Sequence, residues 1–223
     1  MARTRGKEEL GKKSYGAKRK AVVYVFTEGK ATEPSYIDII WQRRLADKEL
    51  PAPAIDVHIS NRKATGPDRK PITLVEAAER TLREETRAAK KNKTPLPEVW
   101  VLFDRDQHEH VQKAIDEGEA AGLHVAFSHP CFEVWRLLHH KPVLSTQFSG
   151  VCDEAERLLP FVQTSANIKI VQPEEIPKGS YTKARDRAHK MNAQHKPHVP
   201  RSRRDPYTDM PEFIEKGLRI TTY

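Results

Sequence analysis

Two runs of β-forming residues in this chain each end in acids. Val22-Val23-Tyr24-Val25-Phe26-Thr27 is followed by Glu28-Gly29-Lys30, and Val99-Trp100-Val101-Leu102-Phe103 by Asp104-Arg105-Asp106. In open α/β sheets ligands collect outside the carboxyl ends of parallel strands, so two neighbouring strands of this kind would bring Glu28 to the Asp104/Asp106 pair. Three hard oxygen donors with coordination positions left open suit Mg²⁺ or Mn²⁺ carrying a phosphate. Gly29 would let the backbone approach that phosphate, and Lys30 and Arg105 are placed to clamp it. The competing reading is structural, because a lone acid at a strand end can cap a helix.

Glu133 adds a fourth candidate. It lies among Phe132, Val134, Trp135, Leu137 and Leu138, where a carboxylate needs a cationic partner or a metal. His108 and His110 continue an alternation from Asp104 and Asp106, but a helix expected from about Glu109 removes it. Both histidines are therefore read as solvated or phosphate-facing, with a supporting role behind the metal ligands left open for His108. His139 and His140 are read as ending a helix, where imidazolium is favoured by the dipole. Glu33 is read first as an ordinary acid of a helix's first turn. Cys131 and Cys152 show neither zinc spacing nor a disulfide framework and are read as buried or incidental thiols.

The 223 residues suit one α/β domain with an elaboration. The net charge of +8 is unevenly placed. Residues 1–20 carry eight Lys/Arg against two Glu, residues 178–204 nine against one Asp, and residues 21–177 are mildly acidic. Basic flanks around an acidic centre fit a metal-dependent enzyme on nucleic acid, the cations tracking phosphates while the carboxylates hold the metal. Solvated tails are the alternative for both flanks, and the run Arg201-Ser202-Arg203-Arg204 can raise affinity for any polyanion. No stretch is apolar enough for a membrane span or a signal peptide, so a cytoplasmic location is expected.

Residues 1–20 are read as a basic flexible segment. The first strand spans Ala21–Phe26. Thr32 is expected as N-cap of a helix with Pro34 in its first turn and Tyr36, Ile37, Ile39, Ile40, Trp41 and Leu45 as apolar positions. A strand over 54–59, a loop over 60–71 and a long amphipathic helix over 72–91 follow. The second acidic strand leads to a helix over 109–120, stopped by Gly122, then to a strand over 123–128. This alternation predicts a parallel sheet with right-handed crossovers. A helix over 132–139 closes the catalytic unit, residues 21–141. Residues 142–223 are expected to form a mainly helical extension with a basic loop, with helical pieces near 151–160, 180–192 and 210–218.

Thr27-Glu28-Gly29 after one strand and Asp104-Arg105-Asp106 after another resemble the TOPRIM domain of topoisomerases, primases, OLD-family nucleases and small recombination proteins. A closer resemblance covers most of the chain. Val25-Phe26-Thr27-Glu28-Gly29-Lys30-Ala31-Thr32-Glu33-Pro34-Ser35-Tyr36, Phe103-Asp104-Arg105-Asp106 and Ser128-His129-Pro130-Cys131-Phe132-Glu133-Val134-Trp135-Arg136-Leu137-Leu138-His139 occur in the order found in the RloB family, a TOPRIM-like group often encoded within restriction-modification loci. Asp205-Pro206-Tyr207-Thr208 with residues 210–218 is similar to that family's short C-terminal helix after an Asn/Asp-Pro turn. His129 departs from the Asn expected in many relatives.

The resemblance implies a TOPRIM-like α/β fold and a Mg²⁺- or Mn²⁺-dependent endonuclease acting on DNA or RNA in anti-phage defence. Glu28 would be general acid or base as well as a metal carboxylate, Asp104 and Asp106 metal ligands, and Glu133 a further ligand or orienting carboxylate. Lys30, Arg105, Arg201, Arg203 and Arg204 would contact nucleic acid. The chain shows neither a topoisomerase cleavage module nor a primase zinc module, and the absence of a sensor domain points to a partner protein as trigger. A non-catalytic nucleic-acid-binding or partner-binding subunit with a vestigial acidic cluster is the rival reading.

Overall fold

The computed structural model describes residues 19–106, 108–143, 148 and 150–223. Most of the basic N-terminal segment, residues 1–18, therefore lies outside the described residues. A five-stranded sheet has the order β2-β1-β3-β4-β5. It is built from β1 (Ala21–Thr27), β2 (Ile55–Ile59), β3 (Glu98–Asp104), β4 (His124–His129) and β5 (Tyr207–Thr208). The first four strands are parallel and β5 pairs antiparallel with β4. Valines and aromatics dominate β1 and β3, as strands covered on both faces require.

Among the described residues the α-helices are α1 (Thr32–Ala46), α2 (Pro71–Asn92), α3 (Val111–Ala120), α4 (Glu133–Leu138), α5 (Cys152–Arg157), α6 (Tyr181–Asn192) and α7 (Met210–Glu212). Side chains alternate across the sheet. Val99, Val101 and Phe103 pack with Leu74, Val75 and Ala78 of α2 and Val111, Ala114 and Ile115 of α3. Val23, Val25, Trp100 and Leu102 face α1, α4 and α6 on the other side, in a core that continues to Ile220. The basic region 178–204 thus shares this core through Tyr181, Ala184, Ala188 and Met191 of α6.

Because β1 leads outward to β2 and the chain then crosses back to β3, the strand order reverses between β1 and β3. Ligands bind at this switch point in open α/β sheets. The acids that follow β1 and β3 therefore share one crevice. The Glu28 N–H continues the ladder to the Leu102 carbonyl at 2.9 Å.

Several expectations need correction. Ala31, not Thr32, is the N-cap of α1, because the Thr32 hydroxyl donates instead to the Lys169 carbonyl at 3.0 Å. Leu45 is 56 % exposed and is not a packing position. Helix α3 begins at Val111 after His110 adopts a left-handed φ of 62°. The segment after cis-Pro206, read as a turn into a helix, first adds β5 to the sheet. Cys131 and Cys152 form a disulfide with a Cα–Cα distance of 5.6 Å. Their separation of 21 residues gave no clue, since the starts of α4 and α5 meet only in the tertiary fold. Among the described residues no helix is long and apolar enough to cross a membrane.

Candidate metal centre

The loop after β1 is fixed by groups that its own residues do not supply. The Asn61 side chain pairs with Thr27 like an extra strand residue, Nδ2 donating to the Thr27 carbonyl at 2.7 Å while Oδ1 accepts from its N–H at 3.0 Å. The buried Arg69 guanidinium donates to the carbonyls of Thr27 and Gly29 at 2.9 Å and of Asn61 at 2.6 Å. These bonds satisfy backbone acceptors that would be costly to bury unpaired and hold Glu28 rigidly above the sheet. Arg69 lay in a stretch that reads as a flexible loop, and its role has no local sequence signal.

Glu28 turns toward β3. Its Oε2 accepts the Asp104 N–H at 2.8 Å, and its Oε1 lies 2.5 Å from His108 Nε2. Donor atoms of Glu28, Asp106 and His108 lie within 4.8 Å of one another, close enough to hold one cation. The hydrogen bond that Glu28 accepts from His108 is the main cause that raises the His108 pKa. His108 is therefore part of the acidic site, contrary to the solvated reading, because α3 starts late enough to leave a turn there. The Arg105 guanidinium braces that turn by donating to the His108 carbonyl at 2.7 Å. Asp106 is exposed, has φ +31°, and donates its N–H to the Pro130 carbonyl at 3.1 Å. Aspartate is among the few non-glycine residues that adopt such a backbone.

Asp104 points deeper. Its Oδ2 accepts the Phe132 N–H at 3.1 Å, while Glu33 and Glu133 are its buried neighbours, only 4 % and 3 % exposed. Burial, then the negative charges of Glu33, Glu28 and Glu133, push the Asp104 carboxyl well above its usual range. Burial likewise raises Glu33 to about 7, against the opposing hydrogen bond from Gly29. That bond, Gly29 N–H to Glu33 Oε1, is 2.9 Å. A Cβ at position 29 would lie 1.8 Å from Glu33 Oε2. Gly29 therefore serves to seat a second carboxylate, a role that sequence reading missed, although the spacing Gly29 to Glu33 carries the signal.

Glu133 has both a cationic partner and a place in the site. Lys169 Nζ lies 3.3 Å and Arg136 Nη1 3.9 Å from its Oε1. Lys169 and Lys30 line the cleft of about 460 Å³ that contains Glu28, Glu33, Asp104, Asp106 and Glu133. Asp106 also borders two adjoining clefts. One of about 390 Å³ is lined by Lys30, Arg69, Lys70 and His108. Another of about 650 Å³ is lined by Arg105, His129, Ser202 and Arg203. Cations thus flank the carboxylates in each direction along one trough.

The arginine run divides. Arg203 is exposed and faces the trough. Arg201 pairs with Asp209 at 3.2 Å and with Glu119. Arg204 lies over the Tyr207 ring, 5.3 Å from its centroid, and donates to the Val199 carbonyl at 2.9 Å. Arg201 and Arg204 therefore brace the C-terminal segment, which local charge counting cannot foresee. His129 ends β4 opposite Tyr207, and its pKa is lowered chiefly by burial.

The donor set fits a hard divalent cation. Several carboxylates converge, two of them have raised proton affinity, and the nearby lysines do not neutralise them all. A divalent ion would relieve that repulsion, and carboxylate oxygens suit Mg²⁺ or Mn²⁺. No curated protein and no solved structure matches the chain. The family model described as RloB-like protein matches residues 23–216, a span that contains every residue of the cleft. The chain therefore belongs to the RloB-like family.

Proposed function

We propose that this protein is a TOPRIM-type, Mg²⁺- or Mn²⁺-dependent nuclease that hydrolyses phosphodiester bonds of DNA or RNA, and that it acts in the cytoplasm in prokaryotic anti-phage defence beside restriction-modification systems. The observation that carries this reading is the convergence of Glu28, Asp104 and Asp106 at the β1/β3 switch point, with Glu33 and Glu133 behind them. When bound, the divalent cation would stabilise the charge that develops on the transferring phosphoryl group.

The chain's own residues divide the remaining work. Asp106, Asp104 and Glu28 would hold the cation. The Glu28 carboxylate, bonded to His108 Nε2, forms with it a pair through which a proton can move to or from an attacking water. Lys30, Arg105 and Arg203 lie along the trough on either side of Asp106 and would position flanking phosphates, while Lys169 would lie beside the scissile group. A cation in the cleft would favour the ionised forms of Asp104 and Glu33, so that cation and substrate phosphate bind together rather than phosphate alone.

The test is cleavage of end-labelled single- and double-stranded DNA and RNA in Mg²⁺ or Mn²⁺, wild type beside Glu28→Gln. Metal-dependent cleavage lost by about 100-fold or more in the variant supports the proposal. Binding without cleavage by either protein would favour the non-catalytic reading.

A further inference from the structure

The Cys131–Cys152 disulfide lies where the main core meets the acidic cleft. Both residues line that cleft with Glu133 and Asp153, and Cys152 Sγ is 3.3 Å from Glu133 Oε2. Cys131 is 2 % exposed, whereas Cys152, the first residue of α5, is only half-buried. Disulfides that replace a core belong to small domains. Here α5 is also anchored by Ala155 and the following Leu159, both buried in the main cluster. Attack on a disulfide requires that a sulfur be reachable, and Cys152 is the reachable one.

We propose that Cys131 and Cys152 are a reversible redox pair whose state sets the geometry of the cleft wall beside Glu133. In the oxidising direction the Cys152 thiolate attacks a low-molecular-weight disulfide such as glutathione disulfide and displaces one thiolate. The Cys131 thiolate then attacks Cys152 Sγ and displaces the second. The two protons lost by the cysteines are taken up by the two released thiolates, and the two electrons reduce the small disulfide. In the reduced state the Cys152 thiol can donate to Glu133 Oε2, and the first turn of α5, which carries Asp153, is no longer tied to the start of α4. Oxidation removes that donor and fixes Asp153 against the cleft. The redox equilibrium of this pair involves neither metal nor nucleic acid and is measured independently of cleavage.

The experiment equilibrates the full chain in glutathione buffers from reducing to oxidising, counts unreacted thiols by maleimide mass tagging, and follows amide exchange over residues 131–138 and 150–158. The expected result is joint and reversible loss of both tagging sites. Exchange in the first turn of α5 should be about five-fold or more faster when reduced, and the melting temperature lower by about 5–10 °C. Cys152→Ser should show the fast exchange at every buffer ratio, and Cys131→Ala serves if that variant folds poorly. A bond that persists in the most reducing buffer, one that never forms, or exchange independent of redox state would overturn the proposal.

Discussion

Asp104→Asn separates the cost of the acidic cluster from its use. Asp104 is half-buried beside Glu28, Glu33 and Glu133, and its ionised form is disfavoured by desolvation and by those charges. Asparagine has nearly the same shape, and its side-chain oxygen can still accept the Phe132 N–H that Asp104 Oδ2 accepts at 3.1 Å. The metal-free variant should therefore melt at or slightly above the wild-type temperature, since removing one of several like charges relieves repulsion. With Mn²⁺ the two should part. At a hundred-fold excess over its dissociation constant a ligand stabilises the native state by about 2.7 kcal/mol. For a domain of this size that raises the melting temperature by about 5–11 °C. Differential scanning calorimetry with and without Mn²⁺ should show this rise for wild type and little or none for Asp104→Asn. An undiminished rise in the variant, or a metal-free variant that melts many degrees lower, would refute the assignment of Asp104 as a ligand held in a repulsive cluster.

Gly29→Ala should displace the Glu33 carboxylate, because the new methyl group occupies its position. Cleavage and Mn²⁺ affinity should fall at least ten-fold with a loss of about 1–3 kcal/mol in urea unfolding, and near-wild-type Mn²⁺ affinity would argue against Glu33 in the site. Arg203→Ala should lower the salt dependence of nucleic-acid binding by up to about 0.9 log-log units per lost duplex phosphate contact. Arg201→Ala, whose partners are Asp209 and Glu119, should instead lower the melting temperature and leave that slope unchanged; the reverse pattern would exchange their roles. His139, pushed down to about 3 from 6.5 chiefly by burial and then by His140, Arg43 and Arg187, stays neutral in the fold while the unfolded chain protonates it. Its contribution is intact above pH 6.5 and is lost as pH falls from 6.5 toward about 3, by up to about 1.4 kcal/mol per pH unit. His139→Gln should flatten the fall in unfolding free energy across that window, and parallel pH profiles would contradict the assignment.

The parts legible from sequence are those whose signal is local. The apolar runs of β1 and β3, the acids that end them, Gly122 as the stop after α3, and the long stripe of α2 all follow from residue type and spacing. Glu28 and the aspartates were legible because motif and strand end coincide. What escaped depends on residues distant in sequence. Arg69 acts on carbonyls about forty positions away, and Arg201 is neutralised by Glu119, 82 positions away. β5 exists only because the C-terminal segment folds back along β4, and the disulfide only because the starts of α4 and α5 meet. His108, for which only a supporting role was left open, sits against Glu28 because the structure has a turn where two residues of helix are expected. Glu33 was passed over because an acid in a first helical turn is ordinary; the Gly29 N–H bond to its carboxylate and the absent Cβ at Gly29 show that this one turns back toward the site.

Anomalous diffraction from a crystal of the full chain soaked in Mn²⁺ tests the metal centre most directly. A peak is expected within about 2–2.5 Å of carboxylate oxygens from Glu28 and from Asp104 or Asp106, at the carboxyl ends of β1 and β3. No peak in that cleft at millimolar Mn²⁺, in crystals that bind the ion elsewhere, would contradict the account.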